Sequence, residues 1–139
     1  MPEITGLGID LVYIPEFIAQ MNEPGTQLAR AFHPRELRLA TARAAATGRE
    51  PAYHLAGRWA AKEAFIKAWS SEFFGEPPRL ADPVDWAQVW VESDAWNRPR
   101  LVLEGELAAG VGNVTTHVSI SHDGEYATAV VSLERKTHG

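Results

Sequence analysis

The chain has 139 residues and a net charge of −5; it is 45% hydrophobic, 22% charged and contains no cysteine. These proportions suit an ordinary globular chain of about one domain's length, and the missing cysteine excludes disulfides, thiolate metal sites and a cysteine nucleophile. No run reaches the ~20 apolar residues that span a bilayer, and no basic leader precedes the first cation, Arg30. A cytoplasmic location with no membrane association is expected.

From the N-terminus, Ile4 to Ile14 reads as a strand, with Pro15 just after it. Asp10 is out of place there, because burying a carboxylate is costly unless a cation or hydrogen-bond donors compensate. Glu16 to Asn22 is a short helix ended by Pro24-Gly25, and Thr26 to Phe32 is ambiguous. Pro34 to Ala46 is helical with Pro34 in its first turn, and Thr47 to Pro51 is a surface break.

Between Thr26 and Arg49, five arginines (30, 35, 38, 43 and 49) face one acid, Glu36, giving a local balance of +4 against −9 for the remainder. Such a patch can steer an acidic partner to one face, or simply solvate a helix. Nucleic acid is not expected as a partner, since the chain is acidic overall and lacks basic–aromatic interleaving.

Tyr53 to Trp69 is the clearest helix, rich in Ala, Lys, Glu and Leu. Ser70 to Pro83, with three prolines and a glycine, reads as a loop. Strands follow at Ala87 to Val91, Pro99 to Glu104, His117 to Ile120 and Tyr126 to Leu133, with a short helix over Leu107 to Gly112. No repeat or linker interrupts the chain, so residues 1–139 are expected to form one α+β domain.

At 3.6 residues per turn, Leu55, Trp59, Ile66 and Trp69 share one stripe of the long helix, Phe65 lies at its edge, and Lys62 falls within it. A lysine in that position usually extends its amine to water. Glu63 and Lys67, four apart, would in isolation be only a surface ion pair. Together, Arg58, Lys62, Glu63 and Lys67 offer one carboxylate among three cations. That combination suits a polyphosphate held by cations, with a divalent metal bridging it to carboxylates. Mg²⁺ takes one or two protein carboxylates and fills its shell with phosphate and water oxygens; Asp10 and Glu63 are the candidates.

Four segments resemble the short bacterial holo-[acyl-carrier-protein] synthases of the 4′-phosphopantetheinyl transferase superfamily. They are Gly8-Ile9-Asp10-Leu11-Val12, Trp59 to Ala68 (WAAKEAFIKA), the turn Asn97-Arg98-Pro99, and Val118-Ser119-Ile120-Ser121-His122. The resemblance implies a single copy of that family's fold, a small antiparallel sheet against a long helix. It also implies transfer of 4′-phosphopantetheine from coenzyme A to a serine of an acyl carrier protein in fatty acid biosynthesis. Asp10, Glu63 and Lys67 would be catalytic, with Mg²⁺ on Asp10 and Glu63. Arg58, Lys62, Lys67, Arg98, Pro99, Ser121 and His122 would contact coenzyme A. A homotrimer with sites at its subunit boundaries would complete the enzyme. Two rivals stay open: a carrier-docking module without catalysis, and a Mg²⁺-dependent phosphohydrolase of coenzyme A.

Four departures from the family pattern stand out. Tyr13 and Glu16 occupy the places of an expected acid and a carrier-contacting Arg, which leaves the Arg30 to Arg43 segment as the basic carrier surface. His33 replaces Ser or Thr as a helix cap ahead of Glu36. Trp69 to Glu72 replaces a Gly-rich loop, and Asn97 replaces a Gly, although Asn tolerates the left-handed conformation. Histidine metal ligation is not expected, because no pair has a ligand spacing.

Overall fold

The computed structural model describes residues 1–79 and 84–136, so the end of the expected 70–83 loop lies outside the described residues. Strand β1 (Pro2–Tyr13) leads into helix α1 (Ile14–Met21), and a short 3-10 turn (Leu28–Ala31) precedes α2 (Pro34–Thr47). Helix α3 (Pro51–Ser71) is the longest. Next come β2 (Val89–Ser93), β3 (Pro99–Leu103), α4 (Gly105–Val111), β4 (Thr115–Asp123) and β5 (Tyr126–Lys136). The expected α+β architecture is present. β1, β5 and β4 form an antiparallel sheet in the order β1-β5-β4, and β2 and β3 form a separate hairpin.

Helix α3 lies across the inner face of the three-stranded sheet and is buried almost all round. The stripe expected from sequence is only part of its contact, since Ala56, Ala60, Ala61, Ala64 and Ala68 are as buried as Leu55 and Phe65, while Trp59 and Ile66 are half-buried. Alanine makes this possible: it suits the helix and lets backbones approach closely.

Two boundaries differ instructively. β2 begins at Val89 because Trp86–Gln88 forms a 3-10 turn, capped when Asp85 Oδ1 accepts the Ala87 N–H at 3.2 Å. β4 is longer than its apolar core suggests, since only Val118 and Ile120 of its nine residues are apolar. His33, the unusual cap, does cap α2: its Nδ1 accepts the Arg35 N–H at 3.1 Å, and its own N–H donates to Glu36 at 3.0 Å.

Candidate active site

β1 meets α3 closely enough to exclude side chains. A Cβ on Gly8 would fall 2.0 Å from the Ala64 carbonyl oxygen, and one on Gly6 would fall 2.3 Å from that of Ala68. This contact brings Asp10 against Glu63 and Lys67. Lys67 Nζ donates to Asp10 Oδ1 at 2.9 Å and to the Ile9 carbonyl at 3.1 Å, so its ion pair is with Asp10 and not with Glu63.

Asp10 is buried, and among the described residues its Oδ2 has no donor. Burial, then hydrogen bonding to Asp10 and the charge of Asp10, push the Glu63 carboxyl up to about 7, against a lowering influence from Lys67. Two carboxylates cannot bond one another while both are ionised, so the pair calls for a proton or a cation between them. Among the described residues no group of three or more His, Asp or Glu gathers that could hold a metal. Two hard oxygen donors with an orphaned buried oxygen fit Mg²⁺, whose remaining positions would go to phosphate and water.

A second concave site lies on the other flank of α3. Arg43, His54, Arg58, Asn97, Pro99 and His122 are among the residues lining a cavity of about 350 Å³. Gly57 lets β4 approach, since a Cβ there would sit 2.9 Å from His122 Nε2. Arg58 donates to Ser93 Oγ at 3.1 Å, and among the described residues its buried Nε has no partner. Burial lowers the pKa of Arg58, with Arg43 adding to the effect and Glu36 opposing it. Burial first and then the neighbouring cations hold His54 and His122 below the usual imidazole range. Cations gathered around a cavity favour an anion there.

The other sequence expectations divide. Asn97 does adopt the left-handed conformation (φ 63), and Pro99 lines the cavity. Arg98, however, is exposed and pairs with Asp94 at 2.7 Å over the Trp96 ring. Lys62 neither reaches water nor faces the cavity: its side chain is fully buried and pairs with Glu36 at 2.8 Å. Ser121 points to the sheet face opposite His122, as strand alternation requires. The arginine-rich segment does not form one face. Arg30 borders a groove with Trp59 and Trp86, Arg35 pairs with Glu92, Arg43 enters the cavity beside Asn97, and Arg49 stacks on Tyr53. Arg43, which the sequence assigns only to a basic carrier surface, and His54, which no motif marks, both line the cavity.

A family model described as the 4'-phosphopantetheinyl transferase superfamily matches residues 6–131. The chain is 48% identical over 135 residues to a holo-[acyl-carrier-protein] synthase of Corynebacterium efficiens, covering 94% of both chains. It is 47% identical over 131 residues to the enzyme of that name from Mycobacterium ulcerans, covering 94% of this chain and 97% of the other. Among solved structures, an ACPS-CoA complex from Chronobacterium ammoniagenes superposes with a TM-score of 0.85 at 45% identity, covering 95% and 98% of the two chains. Motifs, fold and relatives agree: the chain belongs to the 4′-phosphopantetheinyl transferase superfamily, among its holo-[acyl-carrier-protein] synthases.

Proposed function

We propose that this chain transfers 4′-phosphopantetheine from coenzyme A to a serine hydroxyl of an apo acyl carrier protein, releasing adenosine 3′,5′-bisphosphate, in the cytoplasm. The serine oxygen forms a bond to the pantetheine-side phosphorus, the pyrophosphate P–O bond breaks, and the serine proton is lost. Asp10 and Glu63 would hold Mg²⁺. When bound, the ion neutralises the pyrophosphate oxygens that otherwise repel the nucleophile and burden the leaving group. Lys67, anchored on Asp10 and the Ile9 carbonyl, presents an ammonium to the same oxygens. Arg43, Arg58 and His122 would take the 3′-phosphate at the nucleotide end.

The observation that carries this reading is the placement of the two half-sites. Asp10 stands on one edge strand and His122 on the other, with β5 between them and α3 over the inner face. Because α3 packs on all three strands between the two halves, a ligand reaching both halves of one chain would have to pass around the helix. A neighbouring copy supplying one half removes that obstacle, which favours coenzyme A bound between subunits of a homotrimer. The outer sheet face supports the same assembly: Leu7, Ile9, Leu11, Tyr13, Tyr126 and Val130 are all exposed there. An apolar patch of that kind marks an association surface.

Mixing tests it. Asp10→Ala and Arg58→Ala homomers should each lose transfer, read as the mass gained by the carrier. Refolded together they should regain part of it, because some boundaries then combine two intact halves. No recovery, with mixed assembly verified, would place both halves of the site in one chain. Cleavage of coenzyme A without carrier gain would instead indicate the hydrolase reading, and no reaction would indicate docking alone.

A further inference from the structure

Among the described residues, β2 has one side with no strand beside it. The Gln88 carbonyl accepts from Glu104 N–H on the β3 side, so by alternation Val89 and Val91 turn their backbone groups the other way. Two side chains meet them. Lys62 Nζ donates to the Val89 carbonyl at 2.6 Å, and the Val91 N–H donates to Glu36 Oε2 at 3.0 Å. Lys62 and Glu36 are themselves joined at 2.8 Å with both side chains wholly buried.

The network is saturated. The three ammonium protons of Lys62 match Glu36 Oε1, the Trp86 carbonyl at 2.9 Å and the Val89 carbonyl. Glu36 also accepts the His33 N–H at 3.0 Å. One turn earlier on α3, Arg58 holds Ser93. The hairpin is therefore tied to the helices at Val89, Val91 and Ser93, every second residue, just before the turn that carries Asn97 and Pro99 into the cavity.

We propose that Glu36 and Lys62 are positioning residues for the nucleotide pocket, fixing the height of the β2–β3 hairpin on α3 and with it the span between Arg58, Arg43 and the Asn97–Pro99 wall. An apolar pair of equal volume could hold the layers together as well. It could not set the hairpin's height through two directional backbone bonds. The proposal rests on the reading that this pocket receives the 3′-phosphate of coenzyme A.

The test compares coenzyme A with 3′-dephospho-coenzyme A at saturating carrier and Mg²⁺. Lys62→Met alone strands a buried carboxylate and is expected to unfold. Glu36→Gln and the double variant Glu36→Gln/Lys62→Met therefore carry the test. Glu36→Gln keeps the volume but leaves one oxygen to accept where two did, so its amide faces a donor and the hairpin is released on one side. In the folded variants KM for coenzyme A should rise about tenfold while KM for the dephospho form changes less than about twofold and kcat is kept. Equal changes for both substrates, or none for either, would reduce the pair to a purely structural role and overturn the proposal. Equal handling of the two substrates by the unaltered enzyme would overturn the pocket reading first, and the proposal with it.

Discussion

The two flanks of α3 are built on different plans. The carboxylate flank uses two elements pressed backbone to backbone, with Gly6 and Gly8 leaving no room for adjustment. The basic flank draws one or two groups each from α2, α3, β4 and the β2–β3 hairpin around an open cavity. The contrast follows from the ligands each would serve. A metal ion needs oxygens at fixed positions, and a ligand that wanders costs the site. A phosphate is recognised chiefly by summed positive charge, which several loosely placed groups can supply. The first flank should therefore fail abruptly under substitution, the second by degrees.

The largest effect should come from Asp10→Ala, which ought to lower kcat/KM for transfer on the order of 10³-fold while leaving the folded structure intact by circular dichroism. A loss below about tenfold would move the reaction centre away from this flank. Gly8→Ala comes next. Its Cβ would meet the Ala64 carbonyl at 2.0 Å, so chemical denaturation should show a destabilisation of about 2–3 kcal/mol. If stability held, β1 could shift on α3 and the supposed rigidity would be lost. On the basic flank, Arg43→Ala should raise KM for coenzyme A about tenfold with kcat kept. A collapse of kcat would show that the cavity serves the chemistry as well as binding.

The smallest expected signal is protonic. Partial burial, then Arg58 and Arg43, hold His122 below its ordinary value. A phosphate among them reverses the local field, so nucleotide binding should raise the His122 pKa toward or above the free histidine value of about 6.5. The His122 ring resonances followed by NMR across pH, with and without nucleotide, read this apart from the phosphate's own titration. An unchanged or lowered midpoint would remove His122 from the anion site.

The carboxylate flank was legible in the sequence because its members announce themselves locally. Asp10 interrupts an apolar strand, and Glu63 with Lys67 sits on an evident helix. The basic flank was legible only in part. Arg43 and Arg98 are both cations on surface elements, yet one bends into the cavity beside Asn97 and the other pairs outward with Asp94. That choice depends on where the hairpin lies, which no local pattern encodes. Lys62 shows the same limit from the opposite side. Helical spacing placed it correctly in the apolar stripe, but only tertiary packing supplies Glu36, so a chain met as sequence suggests a ligand contact where the fold holds a buried pair. Ser121 and His122 are neighbours in one motif, but strand alternation puts them on opposite faces of the sheet.

The hairpin's unpaired side has a consequence beyond the pocket. A strand that shows free N–H and C=O groups is a template on which another chain can add, the usual start of edge-to-edge aggregation. On β2 the Val89 carbonyl and the Val91 N–H are already taken by side chains lying beneath the surface. The hairpin can thus remain a two-stranded ribbon, free of a third strand and closed to one from a neighbour.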